Sequence, residues 1–125
     1  MASDEAVKQV SMVAAADLSA LKLTFVVQNT AGKIAAAGAG VNVFGVLYSN
    51  PVADQAGTVA IGGVVKVKAG AAIANAGVKV MCDATGRAVT ATATNHVAGE
   101  SMEAAAAAGE VIRIRLTDGT KSILA

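Results

Sequence analysis

A repeat that spans most of the chain constrains its fold more than any other feature of the sequence. Phe25–Tyr48 aligns without a gap on Lys79–Met102, and after a shift of two residues Gly57–Ile61 aligns on Gly109–Arg113. The matched positions include Gly32 with Gly86, Gly45 with Gly99, Val26 with Val80 and Val43 with Val97. Two copies are too few for a propeller or an array, so the pattern predicts a pseudo-two-fold pair of related units. Because alanine, glycine and valine are so common here, a chance match remains the alternative.

Each half predicts the same series of elements: strand, tight turn, strand, break, strand, loop, strand. The tight turns are Asn29–Gly32 and Asp83–Gly86, which end in matching glycines. The clearest strand is Val111–Leu116, whose isoleucines and leucine point inward while Arg113 and Arg115 point outward. Val64–Lys68 alternates in the same way, with both lysines outward. Further strands are predicted at Lys22–Gln28, Lys33–Ala37, Val41–Tyr48 and Thr58–Ile61. The pair Gly62-Gly63 predicts a hairpin between the last of these and Val64–Lys68.

Two alanine-rich segments favour helix locally. Alanine is the best helix former, but the run Glu103–Gly109 is barely longer than one turn, and isolated helices that short are marginal. The repeat aligns this run with the loop Ser49–Ala56, so we expect a loop or a strand end. In Ala14–Ala20, Asp17 could cap one helical turn. We favour a short turn there, because no period of 3.6 residues continues past it.

These patterns predict an all-β domain with little or no helix, built as a small compact β-barrel or sandwich. A chain of 125 residues forms one domain, which we divide into an N-terminal arm (1–10), the β domain (11–116) and a C-terminal tail (117–125). Only Phe25, Phe44 and Tyr48 are aromatic, whereas large rings normally bury about 150–250 Å² each. We therefore expect a thin core, with part of the apolar surface buried between subunits.

The sequence shows no arrangement of residues that indicates catalysis or metal binding. His96 is the single histidine and lacks the partners of a zinc site, so we expect an exposed loop residue. Cys82 is the single cysteine, which excludes an internal disulfide and predicts a small buried apolar side chain. Glu100, Glu103 and Glu110 could bind a cation, but a solvated loop is the better interpretation. We predict a structural or binding protein, not an enzyme, with no cofactor and no metal.

The charge pattern disfavours two classes of partner. The formal net charge is +1, and no basic stripe is interleaved with aromatic residues, so direct nucleic-acid binding has little support. No apolar run indicates a membrane span. The first ten residues are polar and acidic, unlike a secretory signal. We expect a protein made and assembled in a cytoplasm, with no membrane partner.

Several short motifs follow one another in order along residues 14–116. They are FVVQNTAGKI (25–34), AGAGVNVFGVLYSNP (37–51), GTVAIGGVVKVKAG (57–70), AGVKVMCDATGRAV (76–89) and VAGESMEAAAAAGEVIRIRL (97–116). In this order and spacing they resemble the capsid cement or head-decoration family of tailed bacteriophages. The resemblance implies a β-rich virion protein that binds the outside of an assembled icosahedral capsid and locks the lattice. The implied partners are the major capsid protein and further copies of the chain, usually as a homotrimer. The implied location is the outer capsid surface, after assembly in the host bacterial cytoplasm.

The matched loops Ser49–Ala56 and Glu103–Ala108 are the first candidates for contacts with the shell or with neighbouring subunits. The arm and the tail could add strands to sheet edges of the coat protein, although both termini could equally be frayed. The candidate interface residues are Asp4, Lys8, Tyr48, Asn50, Pro51, Asp54, Glu103, Arg113 and Arg115. Two other functions stay open: another β-rich virion part, such as a tail-tube or baseplate component, and a small carrier or ligand-binding barrel.

Overall fold

Ten strands in two antiparallel sheets of five make up the regular structure of residues 8–92 and 95–116, which a computed structural model describes. The first sheet contains β1 (Lys8–Val13), β2 (Phe25–Gln28), β3 (Ile34–Ala36), β4 (Gly45–Leu47) and β5 (Ala56–Gly62). The second contains β6 (Val64–Lys68), β7 (Lys79–Cys82), β8 (Ala88–Thr90), β9 (Gly99–Ser101) and β10 (Val111–Leu116). The prediction of an all-β fold is confirmed, and the sheets form a sandwich. In this part of the chain, no helix is long and apolar enough to cross a membrane.

The strand order confirms the internal repeat. It is β1-β5-β4-β2-β3 in the first sheet and β6-β10-β9-β7-β8 in the second, so each strand matches the one five places earlier. Even the isolated bridges repeat, because Ala14 pairs with Ile34 and Ala69 pairs with Ala88, both in parallel. Each of these bridges is a single residue pair, so neither sheet is closed into a barrel by a continuous ladder.

The turns β2–β3 and β7–β8 show why the two halves align. Asn29 Oδ1 accepts hydrogen bonds from two backbone N–H groups of its turn, at 3.0 and 2.9 Å. Asp83 Oδ1 does the same at 2.8 and 2.9 Å. Gly32 and Gly86 follow with φ values of +81° and +85°, a conformation that glycine adopts without strain. The same turn chemistry is therefore built twice.

The register of the last strands corrects the end of the alignment. Val46 lies opposite Ala60, and Glu100 lies opposite Arg115. Ala60 therefore corresponds to Arg115, an offset of 55 residues, whereas the predicted shift of two residues gave Gly57–Ile61 an offset of 52 and is wrong. The match of Gly109 to a strand glycine was misleading, because Gly109 lies in a turn with φ of +93°.

The predicted hairpin at Gly62-Gly63 is also wrong. β5 pairs with β1 and β4, whereas β6 pairs with β10, so the glycine pair joins the two sheets instead of turning one strand onto the next. Gly63 has a φ of +83°, and its carbonyl accepts a hydrogen bond from the Leu116 N–H at 3.0 Å. The strong local turn signal marks the boundary between the repeats.

Two strands are shorter than the alternation predicted. β2 begins at Phe25 instead of Lys22, because Leu23 has a φ of +66° and interrupts the extended backbone. The Thr24 hydroxyl, which is buried here, donates a hydrogen bond to the Leu21 carbonyl at 2.7 Å and stabilises this turn. β4 covers only Gly45–Leu47.

The predicted N-terminal arm overlaps β1. Residues 8–10 lie in that strand, where Gln9 is opposite Ala60 and Val10 is opposite Val59. Residues 1–7 and the tail 117–125 lie outside the described residues.

The two sheets share a topology but differ in burial. We call the face of the first sheet that carries Phe25, Val46 and Ala60 its outer face, and the face of the second sheet with the matching positions the outer face of that sheet. The name refers to position in the repeat and not to exposure. All three side chains are fully buried, and they join one apolar cluster with the second sheet. The opposite, inner face is buried in a smaller cluster, which comprises Ala14, Leu18, Val26, Ile34, Leu47 and Val59.

The second sheet is buried on one face only. Its inner face belongs to the large cluster and includes Val65, Val67, Val80, Ile112 and Ile114. The positions that match Phe25, Val46 and Ala60 are Lys79, Glu100 and Arg115, and all three reach solvent. The two sheets therefore stack in the same orientation: the outer face of the first sheet packs against the inner face of the second.

Candidate functional site

The loops that follow β4 and β9 occupy matching positions, as the repeat predicted. Each loop is fastened to the next strand by a side chain at the same position. Ser49 Oγ accepts a hydrogen bond from the Thr58 N–H at 2.9 Å, and Glu103 Oε2 accepts one from the Arg113 N–H at 2.9 Å. The alanine run after Glu103 forms bends and turns, so the prediction of a loop there is confirmed.

The candidate residues of the first loop differ in accessibility. Tyr48 is half-buried, and its hydroxyl accepts a hydrogen bond from the Lys66 N–H of the second half at 2.7 Å. Pro51 is buried within its own half, so its ring is not at the surface. Asn50 is exposed and donates to the Ser19 carbonyl at 2.9 Å.

Asp54 lies at the tip of the same loop and is exposed. Its backbone has a φ of +64°, and its carboxylate pairs with Lys33 Nζ at 3.0 Å. The neighbouring Val52 is one of the exposed large apolar side chains of the described residues. This loop tip therefore presents both an apolar side chain and a solvated ion pair.

The candidate residues of the second half form two ion pairs on one sheet. Arg113 Nε lies 3.2 Å from Glu103 Oε2, and Arg115 Nη2 lies 3.1 Å from Glu100 Oε1. Hydrogen bonds from the backbone and the guanidinium of Arg113 lower the pKa of Glu103 from its ordinary value. Both pairs are partly exposed, so each contributes little stability of its own.

The other two candidates cannot be placed in a site. Lys8 opens β1 opposite Gly62. Asp4 lies outside the described residues. The structure thus brings Glu103, Arg113 and Arg115 onto one surface, whereas Tyr48, Asn50, Pro51 and Asp54 belong to the first half.

The outer face of the second sheet contains residues that the sequence analysis did not select. Lys66 lies directly opposite Arg113, Val64 opposite Arg115, and Lys79 opposite Glu100. The face comprises Val64, Lys66, Lys68, Lys79, Met81, Val89, Glu100, Met102, Val111, Arg113 and Arg115, together with the paired Glu103. The outward lysines of β6 and arginines of β10 were visible in the sequence. Their adjacency was not, because β6 had been assigned to a hairpin with β5.

Cys82 is buried, as predicted, and its thiol is not a nucleophile at neutral pH. Burial, reinforced by the negative charge of Asp83, raises the pKa of the thiol to about 12. Its Sγ lies 3.1 Å from the Asp83 carbonyl oxygen. Because the thiolate is the reactive form, this cysteine is inert in the folded chain.

His96 is half-buried instead of exposed, which corrects the expectation for this residue. Its Nδ1 and its backbone N each lie 3.2 Å from the Gly40 carbonyl oxygen. The Gly40 N–H in turn donates to the Cys82 carbonyl at 2.8 Å. The histidine therefore packs where segments of the two halves meet.

The acidic residues of the second half are engaged individually. Glu100 and Glu103 pair with arginines, and Glu110 Oε1 accepts a hydrogen bond from the Ala106 N–H at 3.2 Å. Among the described residues, no group of three histidine, cysteine or acidic side chains could hold a metal ion. The described residues therefore form a contact surface of charged and apolar side chains.

Comparisons with known proteins place this geometry in context. A family model described as phage cement protein matches residues 2–116. No curated protein matches the chain. Among solved structures, it is similar to the head fiber gp8.5 N base in bacteriophage phi29, with a TM-score of 0.69 and 18% sequence identity over 94% of this chain and 98% of that chain. At this identity, the likeness shows a shared fold.

Proposed function

The chain belongs to the phage cement protein family, and from this membership we propose that it binds the outer surface of an assembled bacteriophage capsid and stabilises the lattice. The observation that carries the proposal is the family match over residues 2–116, which takes in both sheets. The proposed partner is the major capsid protein. Such a function requires a complementary surface and several contacts multiplied over many copies, because valency converts weak binding into stable attachment.

Co-sedimentation with capsids tests this function. Purified chain is mixed with mature capsid shells that lack it, the shells are pelleted, and the bound chain is counted per coat subunit. We expect a fixed, saturable stoichiometry and a higher temperature of shell disruption. If the chain remains in the supernatant at every concentration, the proposed function is wrong.

We further propose that the chain acts as a homotrimer on the shell. Val13 and Val52 are exposed large apolar side chains of the first half, apart from the outer face of the second sheet, and a neighbouring copy would cover them. Analytical ultracentrifugation over a wide concentration range should show the mass of a trimer. A monomer at all concentrations would contradict this proposal.

Residues 1–7 are proposed to extend the contact by adding a strand to the coat protein. β1 follows directly from this segment and lies at one end of the strand order of its sheet, so the chain continues from a sheet margin. Deletion of residues 1–7, which keeps all of β1, should weaken shell binding and leave the circular dichroism spectrum unchanged. Equal binding of the shortened and full chains would rule out this role.

A further inference from the structure

Resting on the proposed function, we propose that the outer face of the second sheet is the surface that meets the capsid, and that its partner there is a carboxylate-rich protein surface. This assigns the contact to one face of the fold and gives the partner a chemical character.

The repeat supplies the first argument. The corresponding face of the first sheet is a contact face within the molecule, because Phe25, Val46 and Ala60 are buried against the second half. In the second sheet the same face carries charged residues and is left open to solvent. The outer face of the repeated sheet is therefore buried within the molecule in the first half and exposed at its surface in the second half.

Positive charge is concentrated on the outer face of the second sheet. The face carries five cations, which are Lys66, Lys68, Lys79, Arg113 and Arg115, and two carboxylates, which are Glu100 and Glu103. This excess of three positive charges contrasts with a formal net charge of +1 for the whole chain. The rest of the sequence contains 5 basic and 7 acidic residues, a net charge of −2, so this face holds an excess of positive charge that the rest of the chain does not.

The arrangement of these cations is unfavourable for the isolated sheet. Lys66 and Arg113 lie directly opposite each other on neighbouring strands, where like charges repel, and Glu103, which pairs with Arg113, offsets this repulsion only in part. Among the described residues, the ion pairs of this face join only the two arginines to carboxylates. Additional carboxylates from a partner would relieve the repulsion and complete the pairing of the lysines.

Apolar side chains between the charges also fit a protein partner. Met102 and Val111 are 44% and 46% exposed, and Met81 is half-buried on the same face. Methionine and arginine are enriched at protein interfaces, and methionine adapts its shape to the opposing surface. A nucleic acid is the less suitable occupant, because the face carries no aromatic side chain for base stacking. The carboxylates of Glu100 and Glu103 would also face its phosphates.

Charge reversal with a matched control tests the inference. The test variant is Lys66→Glu with Lys79→Glu, both exposed on the outer face of the second sheet. The control is Lys22→Glu with Lys33→Glu, which changes the net charge equally at two positions of the first half. We expect the test variant to bind mature shells at least about tenfold more weakly than the control, and wild-type binding to weaken as salt rises.

The experiment distinguishes a loss of shell binding from a loss of folding, because melting temperature and binding are measured on the same variants. Lys66→Glu replaces a like-charge pair with an opposite-charge pair, whereas Lys79→Glu places a second carboxylate opposite Glu100. The two changes offset each other, so the test variant should melt close to the wild-type temperature while losing shell binding. Neutral Lys→Gln variants at the same two sites should show an intermediate loss.

Each other outcome overturns the inference. If wild type binds shells and the test variant binds as well as the control, the face is wrong but the proposed function stands. If test and control bind shells equally but only the test variant loses self-association, the occupant is a second copy of this chain. If added duplex DNA binds wild type but not the test variant and displaces the shells, the occupant is a nucleic acid. If wild type binds no shells at all, the proposed function itself fails.

Discussion

Gly45 and Gly99 occupy the same position in the two sheets, at a point where a side chain has no room. A Cβ on Gly45 would meet the Ala60 carbonyl oxygen, and a Cβ on Gly99 would meet the Arg115 carbonyl oxygen. In both cases the obstacle is the backbone of the neighbouring strand, which cannot turn away as a side chain does. The repeated glycine in the sequence thus reports close strand contact, as isolated strand glycines often do.

We predict that Gly45→Ala and Gly99→Ala each lower the free energy of unfolding by about 1–3 kcal/mol, because the added methyl forces the strands apart. Chemical denaturation measures this loss. Gly38→Ala is the control, since its Cβ would have only one neighbour within 4 Å, at 4.0 Å. Equal effects at all three positions would contradict the close approach.

The thiol of Cys82 predicts a pH dependence of stability. Its pKa is raised from 9.0 to about 12, chiefly by burial, so the folded chain keeps the proton after the unfolded chain has lost it. The contribution of this group to the free energy of unfolding is therefore complete below about pH 9 and is lost as the pH rises towards 12. Because other groups titrate in this range, the measurement compares wild type with Cys82→Ala between pH 8 and 11. The two curves should converge as the pH rises, and a constant separation would contradict the raised pKa.

At the scale of elements, the sequence predicted what local chemistry determines. The alternation in β10 and β6 and the turns at Asn29 and Asp83 were recognisable, because burial of one face and an Asx hydrogen bond each leave a short-range pattern. The pairing of β6 with β10 was not, because Gly62-Gly63 carries the same signal whether the chain forms a hairpin or crosses between sheets. That choice depends on contacts distant in sequence. As a consequence, Lys66 and Arg113 were recognised separately as outward residues but not as neighbours.

The two Asx turns allow an exchange experiment. Asp83→Asn should retain nearly full stability, because Asn29 makes the same backbone hydrogen bonds in the first half. Asp83→Ala removes the acceptor for two backbone N–H groups and should cost about 1–2 kcal/mol. Thermal or chemical unfolding of the two variants decides the matter. A loss in Asp83→Asn as large as that in Asp83→Ala would show that the charge, not the turn geometry, is essential.

At the scale of the whole molecule, the two halves resemble each other in topology and differ in what covers them. Val65 and Val67 are fully buried, whereas their first-half counterparts Val10 and Met12 are half-buried. A symmetric pair would bury matched residues equally, so the halves stack in one direction. This leaves one charged sheet face as an end surface. The repeat was predictable from matched glycines, but the direction of stacking was not, because it depends on the single apolar patch of Phe25, Val46 and Ala60.

The most direct test of the account is an electron-microscopic reconstruction of mature capsid shells decorated with the chain. The account predicts ordered density for the chain on the outer surface of the shell, with the second sheet nearest the shell and Lys66 and Arg113 facing carboxylates of the coat protein. Shells that show no density for the chain at saturating concentrations of it would contradict the proposed function. Decorated shells that are contacted only through the first sheet would contradict the assigned face.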